Sequence, residues 1–213
     1  MPKYPSDIGF SPAVKAIQVE KGSRDSYAKL EQRGGWKTGI TPELESFISK
    51  LDMFYLGTSS AEGQPYIQYR GGPQGFLRVI DSKTLGFADF AGNQQYISLG
   101  NLSENPKAFI FLMDYANSRR IKLWGNARVV EDDAHLLESL QSPKYEARVE
   151  RAILFEIGAW DVNCPQHIHK RFSQQQVAPV IEELRTNIEQ LEEKLRSAEQ
   201  ENASLRAKSR DAG

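Results

Sequence analysis

Residues 69–105 read YRGGPQGFLRVIDSKTLGFADFAGNQQYISLGNLSEN, and this stretch decides the fold. Two β-like runs, Phe76–Ile80 and Leu85–Phe90, flank a tight Asp81-Ser82-Lys83-Thr84 turn. The glycine-rich loop Arg70-Gly71-Gly72-Pro73-Gln74-Gly75 precedes them, and Gly92 leads into an amide-rich helix start. Glycine lets a backbone approach a ligand closely, and a helix N-terminus offers free N–H groups to anions. Arg70 and Arg78 add fixed charge and forked donors suited to phosphate. These features together predict a flat, phosphate-bearing ligand laid along a small β-barrel.

The flanking sequence extends this pattern. Thr41-Pro42-Glu43 is a helix start, with threonine as N-cap and Leu44, Phe47, Ile48 and Leu51 on one face. Met53–Ser59 and Pro65–Tyr69 read as strands around a turn at Ala61-Glu62-Gly63. A helix is expected from about Gln94 to Ser103, ending before Asn105-Pro106. Lys107–Asp114 reads as a central strand, Arg120–Val130 as a long one, and Ile153–Trp160 as the last. Asp132-Asp133 opens a helix carrying Leu136, Leu137 and Leu140. Residues 1–40 read as an irregular arm with one short helix near Ser11–Gln18. Short strands separated by turns predict a barrel or sandwich decorated by helices.

From residue 173 onward the chain changes character. Val177, Ile181, Leu184, Ile188, Leu191, Leu195, Ala198, Asn202 and Leu205 alternate spacings of four and three. This is a heptad seam, with Asn202 at an a position, where a buried amide fixes register and favours two parallel strands. Lys194 at g can reach Glu199 at e of a parallel partner. A solitary amphipathic helix lying on its own domain is the other reading of the seam.

Composition narrows the function classes. A net charge of −1 over 213 residues argues against bulk nucleic-acid or membrane-surface binding. The single cysteine, Cys164, excludes an intrachain disulfide and fits a reducing compartment. No apolar run reaches membrane-spanning length, and the N-terminus lacks a secretory apolar core, so a cytoplasmic address is expected. Cys164, His167 and His169 invite a metal reading, but no further cysteine or clustered histidine completes a tetrahedral site, and no metal is expected.

The order of these blocks resembles the FMN-binding split-barrel family related to pyridoxamine 5'-phosphate oxidase. The resemblance runs through Arg70-Gly71-Gly72, Gly75–Val79, Gly92–Leu102, Asn105-Pro106 and Arg120–Gly125. It implies a mainly β split barrel (α+β) with peripheral helices over residues 41–172, an N-terminal arm over 1–40 and a C-terminal coiled-coil helix over 173–213. It implies bound FMN, with the deazaflavin F420 or haem as alternatives known in relatives of the fold. It also implies a homodimer, with flavin sites between the barrels and the coiled coil tethering the same pair.

By the same resemblance the strand bearing Arg78 and Val79 runs beside the flavin, and Gly92, Asn93 and Gln94 lie near its phosphate or ring edge. Ser98 follows on the next helix. Arg120 and Lys122 share one face of their strand, with Arg119 on the other. Each assignment has a plainer alternative. Arg70 can simply close a turn, Asn93 and Asn101 can act as caps, and Trp124 can be a ring wall or a structural tryptophan. A Trp-Asp-x-Asn-Cys-Pro-Gln-His-Ile run like that from Trp160 to Ile168 occurs in one branch of the family. Trp160, Asn163, Gln166 and His167 would there close the pocket across a dimer interface, unless Pro165 merely starts a helix. His167 is the best acid–base candidate, because its ordinary pKa lies near neutrality.

Members that oxidise pyridoxamine phosphate carry a Ser-Arg-Lys run where this chain has Gly92-Asn93-Gln94. They also carry an Arg-x-His pair near the C-terminus that is not evident here. The resemblance therefore implies an FMN-dependent oxidoreductase acting with a small-molecule donor or substrate, without that vitamin B6 activity. A non-catalytic flavin sensor or carrier, with the coiled coil as docking device, is the alternative.

Overall fold

A computed structural model describes residues 3–143, 145–162 and 164–211, apart from the side chains of residues 207, 210 and 211. The chain divides between His169 and Lys170 into two compact units. The first is built on β1 (Met53–Ser59), β2 (Pro65–Gly71), β3 (Arg78–Val79), β4 (Thr84–Phe90), β5 (Lys107–Asp114), β6 (Arg119–Val130) and β7 (Val149–Val162). These make one sheet of order β2-β1-β5-β6-β7-β4-β3, with every pairing antiparallel. Helices α1 (Pro12–Glu20), α2 (Arg24–Gln32), α3 (Pro42–Ile48), α4 (Ile97–Glu104) and α5 (Ala134–Leu140) surround it.

Alternation along β1 sends Phe54, Leu56 and Thr58 inward and leaves Met53, Tyr55 and Gly57 outward. Across the register, Leu56 faces Gln68 and Ile110, and Ile110 faces Leu123, so one surface runs continuously through four strands. That surface becomes the core, where Leu56, Phe87, Ile110, Leu112, Leu123 and Phe155 are wholly buried. Each such side chain contributes about 1.5–3 kcal/mol through removal from water. Curvature comes from a register shift between Trp124 and Gly125 opposite β7. A side chain at Gly125 would sit 2.0 Å from the Glu156 carbonyl oxygen, so only glycine fits this bend.

Thr41 caps α3 by accepting from the Leu44 N–H, and Asp133 caps α5 by accepting from that of Leu136. Asp81 Oδ1 accepts from the Lys83 and Thr84 N–H groups and fixes the β3–β4 turn. The run at Phe76–Ile80 is shorter as a strand than its composition predicts. A turn closed from the Phe76 N–H to the Pro73 carbonyl delays the strand to Arg78, while Phe76 stacks on Phe54 at 5.5 Å.

The N-terminal segment has the short helix expected near Ser11–Gln18, as α1, but is otherwise more ordered than its irregular reading. It holds a 3-10 turn (Pro5–Ile8) and two helices, α1 and α2, and packs against β7. Glu31 is buried, accepts from the Ser6 hydroxyl and pairs with Arg24, while Lys15 pairs with Asp7 at 2.5 Å. Helix α2 has few apolar residues, so its anchor is this polar network, which no apolar periodicity reveals. The second unit is one helix, α6 (Gln174–Asp211). No helix among the described residues is long and apolar enough to cross a membrane.

Candidate functional site

The sheet curls until its edge strand β2 reaches β4, a strand to which it has no backbone pairing. The seam is closed by side chains. Arg70 on β2 donates to Asp89 on β4, and Asp89 also accepts from Arg151 Nη1 on β7 at 3.1 Å. Asp89 is only 5% exposed, so this ion triplet is shielded from water. Arg151 further pairs with Glu131 at 2.9 Å and Glu150 at 3.2 Å. Burial pulls its guanidinium down, but hydrogen bonds to Glu131 and Asp89 and the charges of Asp89 and Glu150 hold it above the ordinary arginine value.

Above the triplet lies a cavity of about 280 Å³. Tyr66, Gln68 and Arg70 of β2 form one wall, the segment from Gly92 to Leu99 another, and Asp89, Glu150 and Arg151 the floor. Helix α4 is bolted in place by polar links to β1 and β2. Ser98 donates to Gln68 Oε1 at 2.7 Å, Asn101 to Thr58 Oγ1 at 3.0 Å and Asn105 to Ser59 Oγ at 2.9 Å. The helix starts later than its sequence predicts, because Gln94 and Tyr96 both adopt left-handed backbone, with φ of 58° and 56°. Such conformations are uncommon for residues other than glycine and cluster at ligand sites. They bring the start of α4, whose first-turn N–H groups have no partner within the helix, to the cavity wall.

A family model described as pyridoxamine 5'-phosphate oxidase matches residues 40–192. The chain belongs to that family. Three solved structures are among those similar to this chain. HupZ from Group A Streptococcus is 18% identical, with 62% of this chain and 99% of that chain covered and a TM-score of 0.48. An FMN-binding protein from Syntrophomonas wolfei is 15% identical, with coverage of 68% and 97% and a TM-score of 0.46. HutZ, the heme storage protein of Vibrio cholerae, is 17% identical, with coverage of 55% and 89% and a TM-score of 0.37. No curated relative matches the chain.

In this family member Arg70, Gly92, Asn93, Gln94 and Ser98 come together around the cavity. Asn93 also accepts from the Gln95 N–H at 3.3 Å, which is the local turn role that asparagine favours. Arg78 is placed elsewhere. Its guanidinium donates to the Ser139 and Gln141 carbonyls and caps the end of α5. Val79 packs against the core from β3. Trp160 is buried, and its indole N–H donates to the Gly39 carbonyl at 2.8 Å, so it holds residues 37–39 to β7 rather than lining the cavity. Gln166 and His167 are exposed and outside the cavity lining, and Asn163 lies outside the described residues. No group of three or more His, Cys, Asp or Glu among the described residues could hold a metal.

Arg120 and Lys122 lie on the opposite face of the sheet. Lys122 faces Phe111, which faces Tyr55, and these residues alternate with the inward Ile110 and Leu56. Lys122 pairs with Asp161 at 3.2 Å and sits over the Trp36 and Trp124 rings, which stack at 4.6 Å. Trp124 is therefore a structural platform for the N-terminal segment. Gly71 and Gly72, read as a ligand approach, instead make room for the rings of Tyr69 and Phe76.

The triplet's members Asp89 and Arg151, and the cavity residues Tyr66, Gln68 and Tyr96, escaped sequence reasoning. A signal was available in the register, since inward alternation from Phe54 and Leu56 carries Gln68 and Arg70 to the same face.

Two facts test the fit of a flavin phosphate. Arg70 Nη1 is engaged by Asp89, but its Nε is buried and has no hydrogen-bond partner, so one N–H of a cavity-lining guanidinium is left unsatisfied. A Cβ at Gly92 would meet nothing nearer than the Phe90 carbonyl at 3.9 Å, so the cradle is open. The volume is at the low end for ligand sites, which run from about 300 Å³ upward. It accommodates a phosphate and the chain behind it, while a flavin ring would project beyond it.

Proposed function

We propose that this protein binds FMN by its phosphate in the seam cavity and serves as an FMN-dependent oxidoreductase with a small-molecule donor or substrate. The observation that carries the reading is the buried guanidinium of Arg70, with its unpaired Nε, beside the N-terminal end of α4. The lining carboxylates Asp89 and Glu150 balance Arg70 and Arg151, so bulk charge does not attract the phosphate. Directed donors do, supplied by Arg70, the Ser98 region and first-turn amides. When bound, the flavin supplies hydride or electron transfer; the chain orients it and sets its electrostatics.

The ring, projecting from a shallow cavity, needs a second wall. We assign it to the outward sheet face of another copy, where Arg120 has a buried, unpaired Nε. A barrel homodimer would thus place Arg120, and beside it Lys122, toward the neighbouring cavity.

The test is direct. Purified protein should take up FMN with a protein-shaped flavin spectrum and bind phosphate-free riboflavin far more weakly. Protein that stays colourless with FMN, or holds riboflavin equally well, ends the proposal. A spectrum of a deazaflavin or haem in freshly purified protein would reassign the ligand. A carrier, with the coiled coil of α6 as its docking device, is the second reading. Bleaching of bound flavin by NADH or NADPH supports the enzyme; flavin inert to all donors supports the carrier.

A further inference from the structure

Helix α6 runs unbroken for 38 residues. Ser173 and Gln176 open it with a reciprocal cap: the Ser173 N–H donates to Gln176 Oε1 at 2.8 Å, and the Gln176 N–H to Ser173 Oγ at 3.3 Å. Pro179 falls on the side away from the heptad seam, so the lost bond to the Gln175 carbonyl and the crowding of its ring against that carbonyl lie outside the apolar packing surface. The seam is uncovered. Ile181, Leu184, Ile188, Leu191, Leu195 and Leu205 are each 45–63% exposed. A lone helix of this kind draws no tertiary packing from its apolar stripe, and packing of that stripe is what stabilises most helices in proteins.

We propose that α6 pairs with α6 of a second copy of this chain as a parallel, in-register, two-stranded coiled coil. The seam repeats every seven residues, the spacing of a left-handed supercoil rather than of one helix on a globular surface. Asn202 decides the orientation. In a parallel pair, a positions face a positions, and Asn202 meets its own counterpart, so both amides find a partner. In an antiparallel pair it would face a d position, and these are Val177, Leu184, Leu191, Ala198 and Leu205, all apolar. A buried amide would then have no partner.

The charges agree with that choice. With the seam so placed, Lys194 at g reaches Glu199 at e of the partner helix, and Glu201 at g reaches Arg206 at e. Each pair occurs twice by symmetry, and both join opposite charges. This proposal stands apart from the flavin reading, since it rests on seam residues alone and none of them is used to hold the flavin.

The experiment uses the full chain in a Cys164→Ser background, because Cys164 is exposed. Ala198→Cys places a thiol at a d position, and Thr186→Cys places one at the outward f position. Under mild oxidation without flavin, the Ala198→Cys chain should form disulfide-linked dimers at least tenfold faster than the Thr186→Cys chain. Equal rates would show that the seams do not meet in register and would overturn the proposal. In a second arm, Asn202→Leu should release the two-strand restriction, and sedimentation should show assemblies larger than those of the parent chain. An unchanged assembly would remove Asn202 from its specifying role and overturn that part of the argument. Because all linking is read without flavin, failure of the tail to pair and failure of the cavity to bind are separate results.

Discussion

Replacing Asp89 with asparagine isolates the device that shuts the barrel. The substitution keeps shape and removes the charge that Arg70 and Arg151 share. Arg151 retains Glu131 and Glu150, but Arg70 has no other ion pair among the described residues, and its Nε is already unpaired. Removing one partner from a buried pair generally destabilises by about 3–5 kcal/mol, because the remaining charge stays desolvated. The unit that contains it ends at His169, and for a domain of that size each kcal/mol shifts the melting temperature by about 2–4 °C. Asp89→Asn should therefore melt about 6–20 °C below the parent chain. Tryptophan fluorescence is the suitable probe, since Trp36, Trp124 and Trp160 all lie in this unit and none in α6. The double variant Arg70→Met/Asp89→Leu should recover part of the loss, because apolar replacement of a buried pair is often near neutral. A single variant within about 1 kcal/mol of the parent, or a double variant worse than both singles added, would refute the seam argument.

Other consequences follow from the same geometry. Arg78→Ala should lower stability by only about 0.5–1.5 kcal/mol, since the exposed Ser139 and Gln141 carbonyls can turn to water, while leaving flavin affinity unchanged; a large affinity loss in titration would return Arg78 to the site. Gly125→Ala should destabilise by about 1–3 kcal/mol or more, since its Cβ cannot coexist with the Glu156 carbonyl, and an unaltered denaturation midpoint would contradict the bulge. The carboxyl of Asp7 is lowered from 3.8 to about 2, chiefly by its hydrogen bond to Lys15 and by backbone N–H groups. Its folded value lies below its unfolded one, so its stabilisation is complete above about pH 4 and is lost as the pH falls toward 2. Asp7→Asn should flatten that part of the acid-stability profile, and an NMR titration placing the Asp7 carboxyl near 4 would remove the effect.

Local pattern made much of the molecule legible. Met53–Ser59 and Lys107–Asp114 are strands with the bounds their alternation indicates, the Asp81 turn joins the expected strands, and the Thr41 and Asp133 caps open the expected helices. Each of these depends on interactions within a few residues, which sequence spacing expresses directly. The loop glycines fixed the family through their order but misled about chemistry, since Gly71 and Gly72 accommodate neighbouring rings. Helix α2 stayed hidden because charges and hydroxyls far apart in the chain hold it.

The seam cavity was not legible in local pattern. Arg70, Asp89 and Arg151 meet only because a long sheet curls and carries β2 to strands it never pairs with. Composition presented Arg70, Arg78, Arg120 and Lys122 as equivalent cations. Strand alternation, bulge-driven curvature and closure across the edge assigned Arg70 to the cavity, Arg78 to a helix end, and Arg120 and Lys122 to the opposite face. Side-chain direction along a strand repeats every two residues and can be read locally, whereas which surfaces a curled sheet brings together depends on every strand at once.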